Sequence, residues 1–146
     1  MPDPAVSIPT GLQETLRWVT ATLREVYGPR LKRLLLFGSQ ARGDAKADSD
    51  VDLLVVLGGP VRLYEEAKRT GRIATRIAAD RGTVLSFIHM SEETFADDRR
   101  PLVRSVNEEG IDLLDAFSES RDGSARPLSA ESASGAESDP VSSPPD

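Results

Sequence analysis

The stretch that decides the fold is FGSQARGDAKADSDVDLLVV, residues 37–56. In it a glycine and a serine follow one apolar run, and two aspartates begin the next. Gly38 leaves room for a phosphate to approach the backbone, and Ser39 begins a helical turn whose free N–H groups and hydroxyl can bind it. Asp50 and Asp52 are two residues apart, so strand alternation places both carboxylates on one face, within reach of a shared cation. The stretch therefore predicts an anion site beside a metal site.

The composition restricts the identity of that cation. The chain has no cysteine and a single histidine, His89, which excludes thiolate and histidine metal clusters. Carboxylate oxygens favour Mg²⁺, which also binds substrate phosphates. A triphosphate at the glycine turn and magnesium on the two aspartates together fit nucleotidyl transfer. Arg42 either leans toward the triphosphate or fixes the loop, by pairing with Asp44 or Asp48 or by binding backbone carbonyls.

The sequence around this stretch predicts alternating helices and strands. Residues Leu12, Leu16, Val19, Leu23 and Val26 form the apolar stripe of an amphipathic helix, which Gly28-Pro29 ends. The apolar runs 31–37 and 51–57 are typical of buried strands. Further elements are predicted as a helix over 63–79, a strand over 83–90, a helix cap at 91–94 and a helix over 101–109. This order predicts an α/β (α+β) fold.

The chain of 146 residues is long enough for one folded domain. We expect a flexible N-terminus over 1–11, one domain over 12–116, and a disordered tail over 117–146 that is rich in Ser, Pro and acidic residues. The tail has a net charge of −4 and the whole chain one of −6, which argues against stable nucleic-acid binding. Neither a signal peptide nor a membrane-spanning apolar run is seen, so we expect a cytoplasmic protein without membrane contact.

Gly38-Ser39 followed after ten residues by Asp50-x-Asp52 resembles the signature of the DNA polymerase β-type nucleotidyltransferase superfamily. Within that superfamily, the small size makes the chain similar to the minimal nucleotidyltransferases, the MNT antitoxins encoded beside HEPN ribonuclease toxins. The resemblance covers about residues 12–115. It implies a polymerase β palm-like fold with a short mixed sheet flanked by helices. It also implies a requirement for Mg-ATP and transfer of AMP to a tyrosine of the HEPN toxin.

One position departs from the pattern of that superfamily. Its active members usually carry a third carboxylate on the later strand, and here the register of VLSFIHM, residues 84–90, places Ser86 at that position. A neutral hydroxyl neither holds a metal ion as a carboxylate does nor serves as a base at neutral pH. His89 lies three residues from Ser86, so alternation places it on the opposite face, and we expect it to be structural.

Three functions are compatible with these observations. The first is an antitoxin that transfers AMP from Mg-ATP to a hydroxyl of a HEPN-type toxin. The residues expected to carry this reaction are Asp50 and Asp52 as catalytic residues and metal ligands, and Gly38, Ser39 and Arg42 as nucleotide ligands. The second is a catalytically degenerate domain that neutralises a toxin by binding alone, for which Ser86 is the reason. The third, ranked last, is transfer to a small molecule such as an aminoglycoside.

Overall fold

A four-stranded sheet with helices on both faces forms the fold in the computed structural model, which describes residues 8–43, 45 and 49–118. The elements in chain order are α1 (Thr10–Tyr27), β1 (Leu31–Phe37), α2 (Ser39–Arg42), β2 (Val51–Leu57), α3 (Leu63–Arg81), β3 (Leu85–Ser91), α4 (Glu92–Phe95), α5 (Pro101–Glu109), β4 (Ile111–Asp112) and α6 (Leu113–Ala116). A 3₁₀ turn, Gly28–Arg30, joins α1 to β1. The long helices and the first three strands were all expected from the sequence.

The sheet is mixed, as the resemblance implies. Its strand order is β3-β2-β1-β4, with β1 antiparallel to both β2 and β4, and β2 parallel to β3. A parallel connection has to cross over the sheet, and α3 provides this crossover. Phe37 at the end of β1 pairs with Asp52, and Asp52 pairs with Ser86 near the start of β3. The end of β1 and the starts of β2 and β3 therefore lie side by side at one edge of the sheet.

The two faces of the sheet are covered unequally. On what we call the major face, α1 and α3 pack over the residues of β2 that include Val51, Leu53 and Val55. On the other side, the minor face, the shorter helices α4 and α5 pack over Leu54 and Val56. Strand β2 is consequently buried on both faces, which explains its nearly continuous apolar sequence.

Helix α1 meets the major face with its apolar stripe. Leu16, Val19 and Leu23 are fully buried, and α1 ends before Gly28, whose φ of +56° suits glycine. The prediction that Val26 belongs to this buried stripe is wrong, because its side chain is 45% exposed. In the last turn Tyr27 takes the buried place, and Val26 faces a groove between α1 and α3.

The core extends slightly beyond residues 12–116 at both ends. Ile8 is 2% exposed and Phe117 is 1% exposed, and both belong to the main apolar cluster. The expected flexible residues 1–7 and the acidic residues 119–146 lie outside the described residues. None of the helices in the described residues is long and apolar enough to cross a membrane.

Strand β4 and helix α6 were not expected from the sequence. Strand β4 has two residues, too few for any alternating pattern, and Ile111 in it pairs with Leu36. Helix α6 begins because the Asp112 carboxylate accepts hydrogen bonds from the amides of Leu114 and Asp115. These two elements complete the sheet edge beside β1.

A buried carboxylate, Glu66, connects α3 to the end of α1. Its side chain accepts hydrogen bonds of 2.8 Å from the Tyr27 hydroxyl and 2.8 Å from Arg69, and Arg30 lies 3.7 Å away. Burial is the largest single influence on the pKa of Glu66 and raises it. The hydrogen bonds from Tyr27 and Arg69, together with the charges of Arg69 and Arg30, outweigh burial and hold this pKa below its usual value. Glu66 is therefore ionised in the folded protein at neutral pH.

We expect Tyr27→Phe to lower the free energy of unfolding by about 1–3 kcal/mol at neutral pH, because a buried carboxylate loses a donor. The pKa of Glu66 is lower folded than unfolded. The stabilisation is therefore complete above the unfolded pKa and is lost as pH falls through the folded pKa. Urea unfolding at neutral and acidic pH should show the cost of Tyr27→Phe shrinking in acid.

The matched control for that variant is Tyr64→Phe. Tyr64 is 76% exposed, so losing its hydroxyl should change the unfolding free energy by no more than about 0.5 kcal/mol at either pH. Equal losses for the two variants would show that the Tyr27–Glu66 contact contributes nothing of its own.

Candidate functional site

The turn between β1 and α2 lies directly against the first carboxylate of β2. Gly38 has φ +77°, a left-handed conformation that favours glycine. A Cβ atom on Gly38 would lie 2.5 Å from Asp52 Oδ2, closer than such contacts allow. The backbone conformation therefore favours glycine at position 38, and a side chain there would force the Asp52 carboxylate to move.

Helix α2 is one turn long and begins at Ser39. The amides of Ala41 and Arg42 donate to the carbonyl of Gly38. The first N–H groups of any α-helix have no acceptor inside the helix, so those of Ser39 and Gln40 are the ones a phosphate can use. The structure thus forms the turn that the sequence predicts at this position.

Asp50 and Asp52 form the carboxylate pair of the site. Asp52 is half-buried within β2, whereas Asp50 is exposed immediately before the strand. Burial raises the pKa of Asp52, and the negative charge of Asp50 raises it further. A cation bound by both carboxylates would offset this repulsion.

Ser86 lies beside Asp52, as the sequence register predicts. The two residues pair across the parallel strands β2 and β3, and alternation therefore places both side chains on the minor face. His89 is on the opposite side, where Nε2 lies 3.1 Å from the Thr70 hydroxyl of α3. Burial lowers the pKa of His89, an effect that the charge of Glu66 opposes. His89 is a packing residue of the major face and does not reach the carboxylates.

Arg42 contacts a residue that the sequence did not indicate. Its guanidinium Nη1 lies 3.2 Å from Oε1 of Glu109, at the end of α5. Asp44 and Asp48, the two partners considered from the sequence, lie outside the described residues. This contact connects α2 to α5 on the minor face. Binding of a nucleotide by Arg42 stays a prediction.

Gln40 is a site residue that sequence reasoning missed. Its side-chain amide donates to the carbonyl of Ser49 at 3.4 Å, next to Asp50. The contact connects the helical turn to the start of β2 across the intervening loop. A polar residue one position after the serine was the only available signal, and such residues are common on surfaces.

A cleft of about 590 Å³ opens next to this site, on the side of the N-terminal end of α1. Leu12, Gln40, Ser49 and Thr83 are among its walls. Its volume is typical of pockets that hold small molecules. The two carboxylates and the helical turn form the candidate active site. The cleft adjoins it through Gln40 and Ser49, and Gly38, Ser39, Asp50 and Asp52 are not among its walls.

The residues present fit a magnesium ion, although the described residues contain no cluster of three or more metal-ligating side chains. Magnesium commonly takes one or two carboxylates and completes its shell with water and substrate phosphates. Asp50 and Asp52 supply the carboxylates, and the absent side chain of Gly38 leaves room for the Asp52 carboxylate beside the turn. The donor set therefore suits a metal ion delivered with a nucleotide.

The chain is similar to known proteins in sequence and in fold. The chain is 32% identical over 83 residues to a Methanocaldococcus jannaschii protein named as a protein adenylyltransferase, MJ0604; the alignment covers 57% of this chain and 77% of the relative. One solved structure, a toxin–antitoxin with AMP-PNP, gives a TM-score of 0.50 at 17% identity, over 82% of this chain and 93% of that chain. Another, a Shewanella oneidensis complex of tri-AMPylated HEPN toxin with MNT antitoxin, gives 0.43 at 16% identity, over 83% and 93%.

A family model described as the nucleotidyltransferase domain matches residues 16–112. The match includes all four strands, the crossover helix α3 and the whole of the candidate site. The mixed sheet flanked by helices, expected from the sequence, is thus the fold of this family. The chain belongs to the nucleotidyltransferase domain family.

Proposed function

We propose that this protein transfers AMP from Mg-ATP to a hydroxyl group of a HEPN-type toxin and thereby acts as an antitoxin. The observation that carries the proposal is the closeness of the Asp52 carboxylate to the turn, where a Cβ atom on Gly38 would lie 2.5 Å from Oδ2, with Asp50 two residues before Asp52. A phosphate-binding turn and a pair of metal-ligating carboxylates are thus neighbours. The relative named as a protein adenylyltransferase supports AMP transfer to a protein, and the toxin–antitoxin with AMP-PNP has the same fold.

The residues of the chain have separate roles in this reaction. Asp50 and Asp52 hold Mg²⁺, which when bound neutralises charge on the phosphates. The amides at Ser39 and Gln40 orient the phosphates, and Gly38 lets them approach the backbone. The acceptor hydroxyl oxygen forms a bond to the α-phosphorus while the bond from that phosphorus to the pyrophosphate oxygen breaks. The hydroxyl proton passes to solvent.

Arg42 joins the site as a nucleotide ligand in this proposal. Its side chain is 48% exposed and that of Glu109 is 34% exposed. Ion pairs this accessible to water contribute at most about 1 kcal/mol. A triphosphate carries more negative charge than one carboxylate, so it can displace Glu109 from this guanidinium at a modest cost.

A second function, neutralisation by binding without AMP transfer, is favoured by Ser86. This residue pairs directly with Asp52 on the minor face. At that position a carboxylate would add a metal ligand and a proton acceptor, and a serine hydroxyl does neither at neutral pH. Under this alternative the chain keeps its toxin-binding surface and has lost the reaction.

The double variant Asp50→Asn with Asp52→Asn separates the two functions. Loss of both charges should reduce transfer of labelled AMP to the toxin by on the order of a thousandfold, because several kcal/mol of charge stabilisation disappear. Intact mass and radiolabel on the toxin measure this, and growth of cells expressing the toxin measures neutralisation. If AMP transfer is the means of neutralisation, both should be lost together.

The control for that variant is Asp98→Asn with Asp115→Asn, which removes two exposed carboxylates outside the site. It should keep both AMP transfer and neutralisation. If the Asp50 and Asp52 variant still neutralises the toxin, AMP transfer is not how this protein acts, and the binding function takes its place.

Ser86→Asp tests the role of the residue beside Asp52. A third carboxylate on the same face should raise affinity for Mn²⁺ or Mg²⁺ by on the order of tenfold, which corresponds to about 1.4 kcal/mol. Titration calorimetry with the metal alone measures this without any reaction, and labelled AMP transfer should rise in parallel. Unchanged metal affinity would show that Ser86 does not face the metal site.

Gly38→Ala tests the contact between the turn and Asp52. The new methyl group would displace the Asp52 carboxylate, so metal affinity and AMP transfer should both fall by at least about tenfold. Gly59→Ala is the matched control, because Gly59 also has a positive φ, +79°, yet a Cβ there has nothing within 4 Å. Both variants should lose about 1–2 kcal/mol of stability, but only Gly38→Ala should lose metal affinity. Equal metal affinities would rule out the contact as a requirement of the site.

A further inference from the structure

We infer that the acidic segment 119–146 docks into the groove between α1 and α3, on the major-face side of the molecule and away from Asp50 and Asp52. The groove has a volume of about 400 Å³. Trp18 and Val26 of α1 form one wall, and Arg69, Arg72 and Arg76 of α3 contribute to the other. It therefore combines an apolar surface with a row of positive charges.

The groove carries groups that a bound chain segment would satisfy. Val26 is 45% exposed although it continues the apolar stripe of α1. The indole Nε1 of Trp18 is buried and has no hydrogen-bond partner among the described residues. A buried donor normally has an acceptor, so Trp18 lies beside the groove with one unmet donor.

The charge around the groove differs in sign from that of the chain. Residues 10–30 and 62–82, which include α1 and α3, carry nine basic against five acidic side chains, a net charge of +4 in a chain of −6. Within α3, Arg69 pairs with Glu66 and Arg76 pairs with Asp80. Arg72 makes no hydrogen bond or ion pair that the described residues show. This surface attracts carboxylates.

The acidic segment matches the groove in charge and starts close to it. Residues 119–146 have six acidic side chains against two arginines, a net charge of −4. The segment follows Phe117, whose ring lies 4.7 Å from the guanidinium of Arg17 on α1. The groove is on the other flank of the same helix, and a helix is about 10–12 Å across.

Four extended residues are enough to span that width, at about 3.3 Å each. Because the segment is part of the same chain, its effective concentration at the groove is of millimolar order, so weak charge contacts are sufficient for docking. An added nucleic acid would have to compete with this segment and with the net negative charge of the protein.

Trp18 makes the proposal measurable, because it is the only tryptophan of the chain. The full chain is compared with a full-length variant in which the six acidic residues of the segment are changed to Gln or Asn. The readouts are the emission of Trp18 and its quenching by acrylamide. In the unaltered chain, raising the salt from about 10 mM to about 1 M should increase quenching, because the Debye length falls from about 30 to about 3 Å. In the variant without the six acidic side chains, acrylamide should quench Trp18 more strongly at low salt, and the quenching should no longer depend on salt.

Arg72→Gln should reproduce the effect of neutralising the segment, and combining the two changes should add nothing further. The matched control is Arg104→Gln, which removes an exposed arginine from α5 on the minor face and should leave Trp18 unchanged. The effect should not depend on protein concentration, since docking occurs within one chain.

Two results would overturn the proposal. One is equal quenching and equal salt dependence in the original and neutralised chains. The other is a Trp18 response that depends on protein concentration or on an added oligonucleotide, with no effect of neutralising the segment. The latter would assign the groove to a second copy or to nucleic acid.

Discussion

The geometry of the candidate site depends on the burial of β2 on both faces. Leu53 to Leu57 are each no more than 1% exposed, so a slip that moved Asp52 one position along the strand would carry its carboxylate into a fully buried position, at a large desolvation cost. With the register fixed in this way, Asp52 lies at the sheet rim, Phe37 pairs with it on one side and Ser86 on the other. Core packing, rather than any polar contact, therefore positions the carboxylate against Gly38.

Much of this arrangement could be predicted because it follows from local patterns. The glycine-serine turn and the aspartate pair lie in one continuous stretch of sequence. Strand β2 begins at Val51, so alternation applies to Asp52 and not to Asp50, and the joint placement of the two carboxylates stays a prediction. The same alternation separates Ser86 from His89 and puts them on opposite faces of β3. Apolar runs bounded by glycine identified β1 and β2, since both are buried and both end at turns.

Other features could not be predicted because they join residues that are distant in sequence. Arg42 and Glu109 are 67 residues apart, and Tyr27 and Glu66 are 39 apart, so no periodic pattern connects either pair. Val26 fits the spacing of the stripe, but Tyr27 takes the buried place in the last turn. Strand β4 is held by pairing with β1, which a two-residue sequence cannot indicate.

The unequal covering of the sheet has a mechanical consequence. The major face is held by two long helices and the larger apolar cluster, whereas the minor face, toward which Asp52 and Ser86 point, has only short helices and a small cluster. Segments with fewer buried contacts open at lower free-energy cost than the global unfolding transition. Helices α4 and α5 can therefore shift or exchange their amide protons without disturbing the layer beneath α1 and α3. Asp52 and Ser86 of the candidate site therefore belong to the half of the molecule with the smaller apolar cluster.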